Sequence, residues 1–341
     1  MGRPASTPTT PSSRCMRRAV YRADQEMQLK KQPAQGKKRP LTPVCSRAIR
    51  RRTAPGRLGD LPNLRAIVVN LDRRPDRWEG CSMRLQARCP WIRFTRFSAT
   101  DGRQTTINPS EVAMSWNSAR NVKYQKLRSK RKGWDDIDTY HARSLPLSAG
   151  ERGCASSHVR AWRACAGLAG ESERPLLVLE DDAAPTAEFT QVLGRAMASL
   201  PQDAGILYLG YSQAAKWRRE VSAELVEAEY VWTTVGYIIW PSAARQLLSQ
   251  LPVNEPVDNF MAGLCAEGKL KAYCVRPKVI LQADAWNVNS DVAHSDEHYW
   301  GPDSDIQHTG TEQPAVGAQL PSRSCLLGEG DSDSEESASE L

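Results

Sequence analysis

The sequence predicts an α/β fold with a mostly parallel central sheet, and three features lead to that prediction. Short apolar runs of strand length alternate along residues 61–300 with longer stretches in which apolar residues recur at helical spacing. One run, residues 176–180, is almost entirely branched and apolar, as expected for a strand that is buried on both faces. The chain has 341 residues and is 40% hydrophobic, which is enough to bury a core.

The individual elements follow from the same patterns. Strands are predicted at residues 65–70, 92–97, 176–180, 205–210, 235–240 and 272–281. Helices are predicted at residues 77–88, 153–169, 189–200 and 242–251. Because a helix usually connects two parallel strands, this alternation indicates βαβ units. Residues 103–145 are polar, basic and contain Trp, and they are predicted to form a long loop region over the functional site.

The charge of the chain is concentrated at its two ends. Residues 1–60 carry 15 Lys and Arg against 3 Asp and Glu, whereas residues 328–341 carry 6 acids and no base. The net charge of +7 therefore leaves the middle near neutrality, so the basic pI does not indicate that the folded part binds nucleic acid. We expect a disordered basic arm at 1–60, a folded domain at 61–300 and a disordered acidic tail at 301–341.

The sequence contains no membrane or secretory signal that we recognise. No stretch approaches the roughly 18 to 20 apolar residues that cross a bilayer, and the arm has no apolar region of a signal peptide. The Arg and Ser bias of the arm resembles an organellar transit segment. We therefore expect a cytoplasmic or organellar protein without stable membrane insertion, with the endomembrane system as the alternative.

The nine cysteines are scattered along the chain and form neither a CxxC pair nor a His/Cys cluster with zinc spacing. Their odd number and wide spacing predict reduced thiols, although Cys265 and Cys274 could pair in an oxidising compartment. Cys154 lies among small residues, and we expect a packed side chain there rather than a nucleophile.

The most informative stretch is residues 176–182, where an apolar strand stops at the carboxylates Glu180, Asp181 and Asp182. In open α/β sheets, ligands bind at the carboxyl ends of the strands. Since carboxylates cannot be packed together without a compensating charge, these residues indicate a hard cation, Mn2+ or Mg2+, bound together with nucleotide phosphates. The alternative for an isolated acidic triplet is a solvated turn that caps a helix.

A second polar group, Asn70, Asp72, Arg73 and Arg77, follows the first predicted strand. The arginines are suited to charge-assisted hydrogen bonds with a pyrophosphate. The alternative is an ordinary helix start, at which Asp72 or Asp76 caps the helix and pairs with Arg77.

Four segments, in this order along the chain, resemble glycosyltransferase family 25. Residues 70–77, NLDRRPDR, are similar to the opening signature of that family, and residues 98–102, SATDG, occupy the place of its second signature. Residues 140–143, YHAR, and 147–158, LSAGERGCASSH, resemble the collagen galactosyltransferase branch and are the most specific match. The acidic strand follows, and the resemblance extends over about residues 64–295.

The resemblance implies a GT-A-like nucleotide-sugar transferase domain in which the carboxylate strand ends between donor and acceptor. It implies that Glu180, Asp181 and Asp182 form the metal motif, whose first and third positions bring the cation to the diphosphate. It also implies that Asp101 and Gly102 lie near the nucleotide, although an Asp-Gly pair forms a turn wherever it occurs.

Two acids are candidates for the general base that an inverting transfer to a hydroxyl requires. Asp258 is the first candidate, with an N-cap aspartate as the alternative. Asp291 is the second, and its alternative role is to hold the metal or a closing loop. Glu151, counted with the donor-binding residues, is either an acid at a helix start or a ligand contact, and His158 is expected to be structural.

The function implied by the resemblance is a metal-dependent glycosyltransferase that moves a hexose, galactose from UDP-galactose, to a hydroxyl of a protein, such as a hydroxylysine, or of a glycan. A lipooligosaccharide acceptor, as in lipopolysaccharide biosynthesis, would use the same donor chemistry, so the acceptor stays open. Two alternatives remain: an inactive glycosyltransferase-like binding or adhesion module, and polyanion or nucleic-acid binding through the arm.

Overall fold

The computed structural model describes residues 61, 64–133, 141–167, 174–283 and 291–296. The predicted arm at 1–60 and the predicted tail at 301–341 lie outside these residues. The polyanion or nucleic-acid binding considered for the arm therefore falls outside them as well. Tyr140 of the matched segment 140–143 also lies outside them.

The described residues contain twelve strands and six helices. The strands are β1 Arg65–Asn70, β2 Arg93–Ser98, β3 Ser115–Asn117, β4 Ser144–Pro146, β5 Leu176–Glu180, β6 Ala183–Pro185, β7 Ile206–Gln213, β8 Arg219–Ser222, β9 Leu225–Glu227, β10 Val231–Ile239, β11 Ala272–Val275 and β12 Ile280–Gln282. The helices are α1 Pro75–Arg88, α2 Ala119–Lys132, α3 Ala149–Gly167, α4 Phe189–Ser199, α5 Pro241–Leu248 and α6 Val257–Ala266.

Eight strands form the central sheet in the order β2-β1-β5-β10-β7-β11-β9-β8. The β1–β2, β1–β5 and β7–β11 pairings are parallel, and the other four pairings are antiparallel. Only β9 and β10 run against the other six strands, so the sheet is mixed by pairing while most of its strands point the same way. The predicted α/β fold with a mostly parallel central sheet is confirmed in this form.

The strand that carries the acids, β5, is buried on both faces. Leu176 and Val178 pack into the core beneath α3, α5 and α6. Leu177 and Leu179 pack into the core beneath α1 and α4 on the opposite face. An uninterrupted apolar run is required at such a position, and each fully buried side chain contributes about 1.5–3 kcal/mol relative to exposure.

The predicted strand at 272–281 is wrong in one respect, because the structure divides it into β11 and β12. Arg276 and Pro277 separate the two strands. Proline has no N–H to donate to a strand ladder, so the pairing of β11 with β7 and β9 stops before it. β12 then pairs with β6, directly after the acidic residues.

The prediction of a long loop at 103–145 is also wrong for the part that the structure describes, which contains β3, α2 and the start of β4. Helix α2 was missed because it buries polar side chains, including Asn121, Arg128 and Ser129, and has weak apolar periodicity. It ends at Gly133, which adopts the left-handed conformation of a helix C-cap with φ 65°.

In the part of the chain that the structure covers, none of the helices has both the length and the apolar character of a membrane span.

Candidate active site

The candidate site lies at the sheet edge where β1, β2 and β5 end. Asn70 of β1 pairs with Ser98 of β2, and Val69 of β1 pairs with Glu180 of β5. Because the three strands are parallel, their carboxyl ends meet at this edge, where ligands bind in open α/β sheets. The segment predicted to contact a nucleotide and the segment predicted to bind a metal are therefore neighbours in space.

The middle acid of the triplet, Asp181, is held by two side chains from the β1–α1 segment. Arg77 forms an ion pair with Oδ1, and Asn70 donates a hydrogen bond to Oδ2 at 2.7 Å. Both carboxylate oxygens are therefore engaged, and the residue is only 8% exposed. This arrangement makes Asp181 a link between β5 and α1, and it favours the other two acids as metal ligands.

The charge of Asp182 is the least compensated of the three. Its Oδ2 accepts a hydrogen bond from Gln282 at 3.2 Å and lies 3.7 Å from the Arg77 guanidinium. Its Oδ1 is buried without a hydrogen-bond partner among the described residues. Burial, reinforced by the charge of Glu180, raises the pKa of Asp182 to about 7. A buried carboxylate oxygen without a partner is costly, and a cation would remove that cost.

The first acid, Glu180, is anchored through one oxygen. Thr234 Oγ1 donates a hydrogen bond to Glu180 Oε1 at 2.5 Å, and His158 Nε2 lies 3.6 Å from the same oxygen. Burial alone would raise the pKa of Glu180, but the contacts with His158 and Thr234 outweigh burial and lower it. Glu180 therefore remains ionised at neutral pH.

Glu180 and Asp182 together fit a hard divalent cation. Carboxylate oxygens are the ligands that Mn2+ and Mg2+ prefer in proteins. The fit rests on the buried, unpartnered Oδ1 of Asp182.

A second grouping of ligand atoms surrounds Glu180. Cys154 Sγ, a ring nitrogen of His158 and a carboxylate oxygen of Glu180 all lie within 4.8 Å of one another. This grouping was not predicted from the sequence. Cys154 and His158 are four positions apart and so share one face of α3, but the sequence does not indicate that Glu180 lies beside them. Burial raises the pKa of the Cys154 thiol well above its usual range, so the thiol stays protonated, in agreement with a packed rather than a nucleophilic side chain.

The predicted base, Asp258, is joined to this group through β10. The Thr233 N–H donates a hydrogen bond to Asp258 Oδ2 at 3.1 Å, while the next residue, Thr234, binds Glu180. Burial raises the pKa of Asp258, and the charge of Glu180 adds to that effect. A raised pKa makes a carboxylate a better proton acceptor. Asp258 also accepts the Asn259 N–H at 2.8 Å in the first turn of α6, but the N-cap residue is Pro256, so the N-cap alternative for Asp258 is wrong.

Thr233 has a strained backbone, with φ 76°, in an irregular part of β10. Positive φ is rare for a β-branched residue and costs of the order of 1–3 kcal/mol. The irregular pairing lies between Trp232 and Gly236, and such bulges re-aim side chains beside functional sites. The strain coincides with the residue pair that connects Asp258 to Glu180.

A cleft of about 590 Å3 opens beyond the ends of β1 and β2. Asp72, Arg73 and Asp101, three of the predicted nucleotide contacts, line it. A hydrogen-bond chain connects it to the acids: Arg96 contacts Asp72 at 3.1 Å and donates to Asn70 Oδ1 at 2.7 Å, and Asn70 binds Asp181. The cleft lining does not include the three acids themselves.

Four of the predicted contacts have structural roles outside the cleft lining. Asn70 is 1% exposed and Arg77 pairs with Asp181, so these two side chains hold the acids. Gly102 packs backbone to backbone against α3, since a Cβ on it would lie 1.9 Å from the Ala149 carbonyl oxygen. Glu151 caps α3, as described next.

Glu151 forms a capping box with Ser148 at the start of α3. The Ser148 N–H donates to Glu151 Oε2 at 2.8 Å, and the Glu151 N–H donates to Ser148 Oγ at 3.1 Å. Its other oxygen accepts the Ser295 N–H at 3.0 Å. This geometry favours the helix-start alternative for Glu151 over a ligand contact.

The second candidate base, Asp291, is clamped by two arginines. Arg73 and Arg74 each contact its carboxylate at 2.6 Å. Burial tends to raise the pKa of Asp291, but the two guanidinium groups hold it below its usual range. A carboxylate with a lowered pKa is a weak base, so the arrangement favours the alternative in which Asp291 holds a closing segment.

Sequence reasoning missed the contacts of Thr233, Thr234 and Tyr237 with the site. All three lie on β10, which pairs with β5. The sequence carries no local signal for these contacts, because nothing within a strand indicates which distant side chains its residues meet.

Comparison with known proteins gives one family. Glycosyltransferase family 25 (LPS biosynthesis protein) matches residues 63–261. Procollagen galactosyltransferase 1 of Danio rerio is 30% identical over 216 residues, which are 61% of this chain and 32% of that protein. Procollagen galactosyltransferase 2 of Homo sapiens is 29% identical over 204 residues, 57% of this chain and 29% of that protein. The matched part of the chain thus spans about a third of the length of these curated relatives.

Among solved structures, mouse xyloside xylosyltransferase 1 in its apo form aligns with 61% of this chain and 71% of that chain. The sequence identity is 9% and the TM-score is 0.27, a likeness that is too low to carry an argument.

Proposed function

The chain belongs to glycosyltransferase family 25, and from that membership we propose that it is a metal-dependent glycosyltransferase that transfers a hexose from a nucleotide sugar to a hydroxyl acceptor. The observation that carries the proposal is the partly buried pair Glu180 and Asp182 at the end of β5, in which the buried Oδ1 of Asp182 lacks a partner in the described chain. Such uncompensated charge is destabilising unless a ligand uses it.

The donor lies in the cleft with its diphosphate toward the acids. Arg73, which lines the cleft, exchanges its contact with Asp291 for a phosphate oxygen, because that ion pair is solvent-accessible and weak. The names of the related procollagen galactosyltransferases support galactose as the hexose, with UDP-galactose as the donor.

Breaking the bond between sugar and phosphate builds negative charge on the leaving diphosphate. Glu180 and Asp182 would hold a divalent cation, which would supply positive charge at that point. Asp181 keeps Arg77 at the same edge through their ion pair, so a guanidinium is oriented before the donor binds. The contacts of Thr234 and His158 keep Glu180 ionised.

Asp258 acts as the general base for the acceptor hydroxyl, with inversion at the anomeric carbon. Its raised pKa makes it a competent proton acceptor, and the Thr233 N–H fixes its orientation. The acceptor is a hydroxyl of a protein or of a glycan. The relatives' names favour a protein acceptor, whereas the family description, LPS biosynthesis protein, favours a glycan.

The proposal is tested by measuring the turnover of UDP-galactose, UDP-glucose and other UDP-sugars with Mn2+, with Mg2+ and with a chelator, first as hydrolysis and then with hydroxylysine peptides and glycans. We expect turnover that requires the metal and is fastest with UDP-galactose. Binding of UDP and Mn2+ without turnover of any UDP-sugar would instead indicate an inactive binding module.

A further inference from the structure

A buried row of hydrogen-bonding side chains lies behind Glu180. Trp162 Nε1 donates a hydrogen bond to the Tyr237 hydroxyl oxygen at 3.0 Å. The Tyr237 hydroxyl lies 2.9 Å from His158 Nδ1, and His158 Nε2 lies 3.6 Å from Glu180 Oε1. Trp162, Tyr237 and His158 are each 0% exposed, so solvent does not complete their hydrogen bonds.

The position of the proton on His158 follows from the hydroxyl hydrogen of Tyr237. The indole N–H of Trp162 can only donate, so the Tyr237 oxygen is an acceptor on that side. Among the described residues, the remaining polar atom within reach of the Tyr237 hydroxyl is His158 Nδ1. The Tyr237 hydroxyl therefore donates its hydrogen bond to His158 Nδ1. A ring nitrogen that accepts a hydrogen bond carries no hydrogen, so the neutral ring has its hydrogen on Nε2.

The resulting Nε2–H faces Glu180. The distance from His158 Nε2 to Glu180 Oε1 is 3.6 Å, which is longer than a hydrogen bond. Nε2 has no hydrogen-bond partner in the described structure. The same tautomer excludes Nε2 as a metal ligand, because a ring nitrogen that carries hydrogen has no free lone pair. The Cys154, His158 and Glu180 grouping is therefore not a metal site in this hydrogen-bond arrangement.

Glu180 is contacted on one side only. Thr234 and His158 both lie against Oε1, and no hydrogen bond to Oε2 forms within the described part of the chain. One oxygen is thus used for orientation, which leaves the other for a ligand.

We propose that Trp162 and Tyr237 fix the proton of His158 on Nε2, so that this N–H is directed at Glu180 Oε1, and that His158 is in consequence a positioning residue whose N–H dipole favours the orientation in which Oε2 would be available to a cation. The cation in this statement rests on the proposed function. The tautomer of His158 does not depend on the proposed function.

The tautomer is tested by NMR of the full chain labelled with 15N-histidine. In the wild-type protein without metal we expect a His158 spectrum with a protonated Nε2 and an unprotonated Nδ1, assigned by its loss in His158→Gln. A protonated Nδ1 in the wild-type protein would overturn the proposal, whether or not the protein turns over any sugar nucleotide.

The positioning role is tested with Tyr237→Phe and a matched control, Tyr208→Phe. Tyr208 lies on the neighbouring strand β7, is equally buried and has a hydroxyl without a partner in the described structure. We expect Tyr237→Phe to weaken Mn2+ binding, titrated by EPR in the presence of UDP, about tenfold, and Tyr208→Phe to leave it unchanged. Equal Mn2+ affinity in the two variants would refute the role, provided that circular dichroism finds both folded.

The two proposals fail in different ways. If Tyr237→Phe does not fold, the wild-type NMR spectrum still decides the tautomer. If the wild-type protein binds no Mn2+ with UDP, the proposed function fails while the tautomer is still decided by the same spectrum. A Cys154→Ala variant that loses bound metal would indicate that Cys154, His158 and Glu180 do bind metal, and would overturn the tautomer argument.

Discussion

Adjacent carboxylates at the end of β5 differ in charge state because their immediate partners differ. Thr234 and His158 stabilise the ionised form of Glu180, and Arg77 and Asn70 engage both oxygens of Asp181. Burial raises the pKa of both aspartates, and it raises the pKa of Asp182, which has less compensation, to about 7. The three consecutive acids therefore have three different environments, which depend on contacts from other parts of the chain.

The raised pKa of Asp182 predicts that this residue destabilises the protein in the absence of metal. Between its ordinary value of 3.8 and about 7, the folded state holds a proton that the unfolded state has lost, so stability falls as the pH rises through that window. Asp182→Asn removes this effect. We expect a Tm at pH 8 that is several degrees higher without metal, together with the loss of the Mn2+-dependent rise in Tm and of turnover.

Asp203→Asn is the control for this prediction. Asp203 is an exposed acid before β7, at the opposite edge of the sheet, and its replacement should alter neither Tm nor turnover. Full metal-dependent turnover in Asp182→Asn would contradict the assignment of this acid as a metal ligand.

The substitution Asp258→Asn tests whether the single residue Asp258 is the general base. We expect kcat for transfer to fall by about 10^2- to 10^4-fold while the KM for the donor changes little, because a base acts on the acceptor proton and not on donor binding. The measurement is steady-state kinetics with both substrates varied. Equal losses in kcat and in donor affinity would remove Asp258 from the base role.

Glu255 provides the comparison for Asp258. It lies three residues earlier, is buried, pairs with Arg120 at 3.2 Å, and burial raises its pKa to about 7. Glu255→Gln should keep kcat within a few-fold of the wild-type value. A larger loss in Glu255→Gln than in Asp258→Asn would transfer the base role to Glu255.

At the scale of elements, the start of α3 is a contact point for two other segments. Gly153 packs against the backbone of Thr100 and Gly102, and Gly150 packs against the backbone of residues 291–293. Side chains larger than hydrogen have no room at these contacts. The close approach holds the β2–β3 connection and the segment that carries Asp291 beside the site.

Gly153→Ala should therefore destabilise the protein. The added Cβ would lie 2.6 Å from the Thr100 carbonyl oxygen and 2.7 Å from the Gly102 nitrogen, and both of these are backbone atoms. We expect a loss of about 1–3 kcal/mol in the free energy of unfolding, measured with urea. Gly194→Ala in α4, where no atom lies within 4 Å of the added Cβ, should instead gain about 0.5–1 kcal/mol. A stable Gly153→Ala would refute the close packing.

Element boundaries were predictable where burial has a simple period. β1 and β5 begin and end at the predicted residues, because their side chains alternate between core and surface or lie in the core throughout. Helix α2 was not predictable in this way. Its buried polar residues bond to distant groups, as Asn121 does to Trp232, and apolar periodicity cannot report such bonds.

At the scale of the whole molecule, Asp291 joins the last described segment to the first strand of the domain. Its partners Arg73 and Arg74 are more than 200 positions earlier in the chain. The ion pairs therefore hold residue 291 against the segment between β1 and α1, in which Arg73 lines the cleft. Surface ion pairs of this kind contribute about 0–1 kcal/mol each.

Asp291→Asn should lower stability modestly and in a pH-dependent way. The two arginines lower the pKa of this carboxyl in the folded state, so its stabilising effect is complete above its ordinary value of 3.8 and is lost as the pH falls through the lowered value. We expect the variant to be up to about 1 kcal/mol less stable than wild type at pH 7, and the difference to shrink at pH 3 or in high salt.

Asp76→Asn is the comparison, because Asp76 has one arginine partner, Arg74, and its side chain is 60% exposed, so we expect a smaller loss of stability at pH 7 than in Asp291→Asn. Urea unfolding of the three proteins at both pH values provides the measurement. A stability difference for Asp291→Asn that is the same at pH 3 and pH 7 would show that its carboxylate charge is not the stabilising feature.

The sequence by itself determined that a buried strand ends in three acids and that residues 65–70 form a neighbouring strand, because hydrophobic periodicity reports local burial. Only the tertiary structure decided which acid keeps its charge and which oxygen stays unpartnered. Those properties depend on contacts with Asn70, Arg77, His158 and Thr234. Strand order and register bring these residues to the three acids, in the case of Asn70 from 111 positions away. Short-range hydrogen bonds depend on distances in space, and these do not follow from spacing along the chain.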